Sequence, residues 1–77
     1  MQIKIKYFGL LTEITNCQEE YVNDSLRTVK ELLNLLYIKY PELKGKDFQV
    51  AQNNSIVALE TKINNTEIAL LPPFSGG

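Results

Sequence analysis

The stretch that decides the fold is TVKELLNLLYIKYP, residues 28–41. Thr28 and Glu31 have the spacing of a capping box, in which the threonine hydroxyl accepts a backbone hydrogen bond from the glutamate and the glutamate reaches back. Apolar residues then recur at three- and four-residue intervals and form one stripe: Val29, Leu32, Leu33, Leu36 and Tyr40. Pro41 disfavours helical backbone in the residue before it, so the helix is predicted to end at Tyr40.

The residues before the helix predict two strands. Residues 2–8 alternate strictly between two faces, as a half-buried strand does. One face carries Ile3, Ile5 and Tyr7, and the other carries Lys4, Lys6 and Phe8. The run LLTEI after Gly9 favours a short helical turn, and residues 18–23 are interpreted as a second strand that pairs back on the first.

The residues after the helix predict a polar loop, ELKGKD, and three further strands at residues 48–52, 56–59 and 67–71. Asparagines mark the turns between these strands, because asparagine tolerates positive φ. In the last strand Ile68 and Leu70 face one side, whereas Ala69 and Leu71 face the other.

This order of elements predicts an α+β protein with a mixed sheet of about four to five strands and one main helix packed on one face. Two strands, a helix and two more strands are the skeleton of a β-grasp. An antiparallel meander crossed by a helix is the alternative. The 77 residues are interpreted as one domain, 1–77, with residues 72–77 as a projecting tail.

The composition of the chain bears on which partners and which location are expected. The chain has 8 Lys+Arg and 9 Asp+Glu, with the lysines scattered, so no nucleic-acid partner is expected. No apolar run approaches the roughly 20 residues that span a bilayer, and the N-terminus does not resemble a secretion signal, so no membrane and a cytoplasmic location are expected. Cys17, the single cysteine, is interpreted as a small buried or half-buried apolar residue.

No catalytic side chain, metal site or bound cofactor is expected in the folded part of the chain. The sequence contains no histidine, so no serine has the general base that a serine nucleophile usually requires. Glu19 and Glu20 are neighbours on a strand and face opposite sides, which excludes a paired acid and base. The four tyrosines are interpreted as half-buried rings with their hydroxyls in water.

The ending LLPPFSGG, residues 70–77, is the candidate functional segment. Pro72 and Pro73 favour an extended exit from the last strand, and they lower the entropy lost when the tail enters a partner. Gly76 and Gly77 lack side chains and can thread a narrow channel. The carboxylate of Gly77 is ionised and a poor electrophile, so another protein has to activate it, for example by adenylation, before a sulfur donor or an amine can capture the carbonyl.

Three segments resemble the small subunits of molybdopterin synthase, which are ubiquitin-like sulfur carriers with a β-grasp fold. They are KIKYFGLLTEI, TVKELLNLL and EIALLPPFSGG, and Pro-Pro-x-x-Gly-Gly is the specific part. The opening turn departs from the family in having Thr12 before Glu13. The last turn also departs, with Asn64-Asn65-Thr66 in place of Asp-Gly.

The resemblance implies a cycle. An E1-like adenylyltransferase uses ATP to adenylate Gly77, and a sulfurtransferase system converts it to a thiocarboxylate. The tail then enters the large subunit of a heterotetramer, where the sulfur passes to cyclic pyranopterin monophosphate in molybdenum cofactor biosynthesis. The chain is thus an enzyme only as the sulfur-donating subunit.

The resemblance also implies a partner-binding surface, consisting of Phe8, Ile56, Leu71 and, in the tail, Phe74. Ser75 is interpreted as a spacer. Three alternatives remain open at this stage: a sulfur carrier for thiazole biosynthesis, a ubiquitin-like protein modifier, and a plain binding module with an incidental tail.

Overall fold

The structure is a computed structural model that describes residues 2–23, 25–64 and 67–73. Its elements, in chain order, are β1 (Ile3–Tyr7), α1 (Leu11–Thr15), β2 (Glu19–Val22), α2 (Val29–Lys39), a 3-10 helix (Pro41–Gly45), β3 (Gln49–Gln52), β4 (Ser55–Val57) and β5 (Glu67–Leu71). The five strands of the described chain form one sheet in the order β2-β1-β5-β3-β4.

The strand directions identify the topology. β1 and β5 are parallel at the centre of the sheet, whereas β2 pairs with β1, and β3 with both β5 and β4, in antiparallel fashion. A parallel pair needs a long crossover connection, and α2 lies within the one that joins β1 to β5. The antiparallel meander is therefore excluded, and the predicted α+β, β-grasp arrangement is confirmed.

Helix α2 begins as the sequence predicts and ends at Lys39, one residue before the predicted end at Tyr40. The Thr28 hydroxyl accepts a hydrogen bond from the Glu31 amide at 3.3 Å. The Glu31 carboxylate reaches back one residue further than expected, accepting from the Arg27 amide at 2.9 Å. Tyr40 has left helical backbone geometry, and its amide donates to the Leu36 carbonyl, so the helix ends at Lys39, next to the residue that precedes Pro41.

The core lies between α2 and the inner face of the sheet. Burial alternates along β1 and β5, and on β5 it includes Ile68 and Leu70 but not Ala69 and Leu71, as the sequence predicts. The buried apolar residues are Ile3, Ile5, Tyr7, Leu11, Val22, Val29, Leu32, Leu33, Leu36, Leu43, Val50, Ile68 and Leu70.

The prediction of a polar loop after α2 is wrong. The chain forms a 3-10 helix there, and Leu43 within it is fully buried against the core. Pro41 is pre-organised for the first position of a helix, and Leu43 is the single apolar residue of the turn. One apolar residue among charged neighbours produces no periodic pattern, so periodicity does not indicate a buried element here.

Candidate functional site

The root of the tail leaves from the middle of one end of the sheet. β5 lies between β1 and β3, and its last residue, Leu71, pairs with Gln49. The Leu70 carbonyl accepts a hydrogen bond from the Phe8 amide at 3.2 Å, which extends the β1–β5 pairing to the end of both strands. Pro72 follows half-buried and Pro73 exposed, so the fold fixes the point from which the tail departs.

An apolar patch covers the outer face of the sheet beside this root. Phe8 and Ile56 are 43% and 54% exposed, and Leu71 is half-buried. The register places Phe8 next to Leu71, since Tyr7 pairs with Leu70. One row further in, Ala69 pairs with Ala51, and Ala51 pairs with Ile56. We call these five residues the apolar patch: Phe8, Ala51, Ile56, Ala69 and Leu71.

Away from the tail root, the outer face carries lysines and glutamates that pair with one another, together with the exposed ring of Tyr21. Lys4 lies 3.4 Å from the Glu19 carboxylate, and Lys6 lies 3.7 Å from that of Glu67. These exposed pairs contribute little to stability. They do leave the outer face divided into a charged half, whose charges are self-paired and which also carries Tyr21, and an apolar half that adjoins the tail.

A second apolar surface lies on the other side of the tail root. A cavity of about 270 Å³ opens between α1 and the two prolines, and its walls include Leu10, Ile14, Pro72 and Pro73. Leu10 is 72% exposed. Sequence reasoning did not single out this residue, although the adjacent leucines of GLLTEI were a signal, because a five-residue helix cannot bury both.

The Glu20 side chain, which sequence reasoning set aside as surface charge, forms three hydrogen bonds to other side chains. Glu19 faces the outer side and Glu20 the inner side, as predicted. The Glu20 carboxylate accepts hydrogen bonds from the hydroxyls of Tyr7 at 2.5 Å and Tyr40 at 2.7 Å, and from the Lys39 ammonium. We call these four residues, Tyr7, Glu20, Lys39 and Tyr40, the Glu20 cluster; it ties β1 and β2 to the end of α2.

The Glu20 cluster shifts the pKa values of its members. Burial disfavours the charged form of the Glu20 carboxyl, but hydrogen bonds from Lys39, Tyr7 and Tyr40 outweigh burial and lower its pKa. Burial, followed by the hydrogen bond to Glu20, raises the pKa of the Tyr7 and Tyr40 hydroxyls. The carboxylate has its partners already in place, so the cluster is structural.

Tyr7 belongs to this cluster, and Cys17 lies beside it. The hydroxyls of Tyr7 and Tyr40 are both bonded to Glu20, so the predicted wet hydroxyl is wrong for these two tyrosines. The predicted half-buried ring is wrong for Tyr7, which is 2% exposed, and for Tyr21, which is 56% exposed. The surface pattern alone assigns Glu20 to solvent, which hides these hydrogen bonds. Cys17 is half-buried and packs against the core, as predicted.

The predicted tail residues Phe74, Ser75, Gly76 and Gly77 lie outside the described residues. Within residues 2–23, 25–64 and 67–73, no group of three or more metal-ligating side chains comes together. No helix in the same ranges has both the length and the apolar character needed to cross a membrane.

The profile of the ThiS family matches residues 5–77. A chain from Pyrococcus furiosus assigned as molybdopterin converting factor subunit 1 shares the fold, with a TM-score of 0.86, 17% identity, and 96% of this chain and 99% of that one covered.

Two further structures are 27% identical to this chain, and each alignment covers 100% of both chains. One is SAMP1, a small archaeal modifier protein from Haloferax volcanii, with a TM-score of 0.76. The other belongs to the complex of subunits 1 and 2 of the molybdopterin-converting factor from Helicobacter pylori, with a TM-score of 0.70.

Proposed function

The chain belongs to the ThiS family, and from this premise we propose that it is the sulfur-carrier subunit of a molybdopterin synthase. The observation that carries the proposal is the sequence Pro-Pro-Phe-Ser-Gly-Gly placed directly after β5. The likeness to a chain in the Helicobacter pylori complex of subunits 1 and 2 supports this choice among sulfur-carrier roles.

The reacting group in this proposal is the carboxylate of Gly77. A carboxylate oxygen attacks the α-phosphate of ATP on an E1-like enzyme, which releases pyrophosphate and leaves an acyl-adenylate. Hydrosulfide, or its equivalent from a sulfurtransferase, then attacks the carbonyl carbon and displaces AMP, forming the thiocarboxylate. The body of the carrier supplies no acid, base or cofactor; ATP is bound and used by the activating enzyme.

The partner in the second half of the cycle is the large subunit of the synthase. We propose that the apolar patch docks on it and that residues 74–77 follow Pro72 and Pro73 into its active site. The thiocarboxylate sulfur attacks a carbon of cyclic pyranopterin monophosphate and displaces an oxygen substituent, which leaves as a phosphate oxygen or as water. Water then cleaves the acyl–sulfur bond and regenerates the Gly77 carboxylate, so two charged carriers are needed for the two sulfurs of one dithiolene. Two carriers on a dimer of large subunits give a heterotetramer, and we place this ATP-dependent cycle in the cytoplasm.

Docking through the apolar patch has a physical basis. Phe8 and Ile56 expose large apolar surfaces to water. A partner that covers them removes this surface from water, which makes the free energy of binding more favourable. The charged half of the outer face is already paired, through Lys4 with Glu19 and Lys6 with Glu67, and would form a polar rim beside that contact.

The proposal is tested by intact-mass spectrometry. The carrier is incubated with its E1-like enzyme, ATP and sulfide, and a species heavier by the difference between a sulfur and an oxygen atom is expected, with the change at Gly77. The product is then mixed with the large subunit and cyclic pyranopterin monophosphate, and molybdopterin is measured.

The control for surface specificity is Ile38→Ala. Ile38 is 81% exposed on α2, away from the sheet's outer face, and this variant is expected to retain wild-type product formation. Deletion of Gly77 is expected to abolish the thiocarboxylate and molybdopterin together. Product formation by the deletion variant, or the absence of any thiocarboxylate in the wild type, would show the proposal to be wrong.

A second candidate function is protein modification, which the 27% identity to SAMP1 favours. The same activated Gly77 carbonyl would then be captured by a lysine amine, and AMP would leave. Isopeptide-linked products on target lysines would support this alternative. In a pull-down from native extract, a co-purifying large subunit supports the leading proposal, whereas a thiazole synthase indicates a carrier for thiazole biosynthesis.

A further inference from the structure

We propose that Gly9 is a positioning residue for the tail: by accommodating the ring of Pro72, it sets the direction in which the chain leaves β5. The inference deepens the proposed function and rests on it for its consequence in sulfur transfer. The contact between Gly9 and Pro72 is independent of that function.

Two features require glycine at this position. Gly9 has φ of +61°, in the left-handed region that side chains disfavour. A Cβ built on Gly9 would also lie 2.8 Å from Cγ of Pro72, well inside the roughly 3.5–4.0 Å at which two carbons pack without repulsion. A positive φ alone would explain a glycine in many turns. The short distance to Pro72 is what connects this turn to the tail.

The turn around Gly9 is held in place, so an added side chain would displace Pro72. The Gly9 carbonyl accepts hydrogen bonds from the Thr12 hydroxyl at 2.8 Å and from the Thr12 amide at 3.2 Å. On the other side, the Phe8 amide is bonded to the Leu70 carbonyl. Pro72 is the first residue beyond the strand pairing, since Leu71 still pairs with Gln49.

A displacement at Pro72 matters because the tail is stiff at its root. The φ angles of Pro72 and Pro73 are fixed by their rings. A shift of Pro72 is therefore not compensated within these two residues, and it changes the direction of the chain that follows. The reacting carbonyl is proposed to lie at Gly77, and a misplacement of about 1 Å can slow a positioned reaction by up to about a hundredfold. Docking of the folded body depends on the apolar patch and should change far less.

The test uses carrier bearing a chemically prepared thiocarboxylate, obtained when hydrosulfide displaces the thiol of an intein thioester, so that no activating enzyme is needed. With the large subunit and cyclic pyranopterin monophosphate, Gly9→Ala should slow single-turnover sulfur transfer about tenfold. The Kd for the large subunit should remain within about twofold, because the patch is unchanged.

A double variant isolates the contact. In Pro72→Ala the offending Cγ is absent, and the Cβ of residue 72 lies 4.0 Å from a Cβ at residue 9, an ordinary packing distance. Gly9→Ala should therefore slow transfer less than about twofold when it is made in the Pro72→Ala background. If the full tenfold effect persists there, the contact is not its cause and the inference is wrong.

Asn54→Ala is the matched control for backbone strain. Asn54 has φ of 63° and lies in the turn between β3 and β4, at the end of the sheet opposite the tail root. Both Asn54→Ala and Gly9→Ala should lower the Tm by about 5 °C, but Asn54→Ala should leave the transfer rate unchanged. Equal slowing by both variants would assign the effect to strain and overturn the inference.

A structural measurement separates failure of this inference from failure of the proposed function. In the isolated protein, NMR should show a nuclear Overhauser effect between the Pro72 ring protons and the Gly9 α-protons, and Gly9→Ala should weaken it. If this effect is seen but the wild-type thiocarboxylate transfers no sulfur, the proposed function is wrong and the positioning contact stands. If the wild type lacks the effect, or Gly9→Ala transfers sulfur at the wild-type rate, the positioning role is wrong.

Discussion

Glu20 is the side chain on which the packing of one edge of the sheet depends. Its carboxylate is 13% exposed and receives hydrogen bonds from two phenols and an ammonium that come from β1 and the end of α2. A buried carboxylate is costly unless it is fully bonded, and bonds to an ionised group are stronger than neutral ones. The cluster therefore stabilises the fold while it is complete and loses that contribution when the carboxylate is neutralised.

At this residue scale we predict that Glu20→Gln lowers the free energy of unfolding at pH 7 by about 1–3 kcal/mol. Glutamine keeps the shape but removes the charge and one acceptor oxygen. Urea unfolding followed by circular dichroism measures the change. Glu19→Gln, on the exposed outer face, is the control and should change the free energy by less than about 0.5 kcal/mol. Equal effects of the two variants would contradict a structural role for the cluster.

The lowered pKa of Glu20 makes a second prediction, for pH. The unfolded chain binds a proton at Glu20 near its ordinary pKa of about 4.3, whereas the folded chain binds it only at lower pH, so stability is lost as pH falls through this window. The difference in stability between wild type and Glu20→Gln should narrow below about pH 4.3. A series of urea unfolding curves from pH 7 to pH 3 tests this, and a constant difference would show the prediction to be wrong.

At the scale of elements, β5 carries adjacent leucines with opposite roles. Leu70 is fully buried in the core, whereas Leu71 lies on the outer face beside Phe8. The alternation of a strand alone produces this division, because successive side chains point to opposite faces. The same strand thus anchors the fold with one face and presents the proposed partner surface with the other.

We predict that Leu70→Ala lowers the free energy of unfolding by about 2–5 kcal/mol, because it leaves a cavity in the core. Leu71→Ala should change stability by less than about 1 kcal/mol but weaken binding to the large subunit about tenfold. Urea unfolding and isothermal titration calorimetry make the two measurements. Ile38→Ala should leave both quantities near wild type, and loss of binding in that variant would indicate a different docking surface.

At the scale of the whole molecule, the order of strands decides what can be removed. β5 is the central strand, bonded to β1 on one side and to β3 on the other. A chain that stops at residue 66 lacks this strand and two of the core residues, Ile68 and Leu70. A chain that stops at residue 73 keeps every described element and loses only the proposed reacting segment.

We predict that the 1–66 chain shows no cooperative unfolding transition by circular dichroism, whereas the 1–73 chain unfolds cooperatively with a Tm within a few degrees of wild type. The 1–73 chain should also bind the large subunit through the apolar patch and transfer no sulfur. A folded 1–66 chain would mean that the sheet does not depend on its central strand.

The sequence predicted the elements with a strong period and missed those without one. The stripe of α2, the alternation of β1 and β5 and the Thr28 cap are regular, local features, and all are present. The buried Leu43 and the bonded Glu20 depend on neighbours that lie far away in the chain, such as Tyr40 for Glu20. The contact of Gly9 with Pro72 is of the same kind, since it joins residues from the two ends of the sequence.

The central position of β5 also has a consequence for biosynthesis. β5 leaves the ribosome after every other strand of the described sheet, yet β1 cannot complete its pairing without it, so the sheet cannot close until residues 67–71 have been made. An incomplete or misfolded chain would hold neither Pro72 against Gly9 nor Leu71 beside Phe8. The root of the tail thus takes its position against Gly9 only in molecules that have finished folding, and in the proposed cycle an activating enzyme that binds this root would act on folded carriers alone.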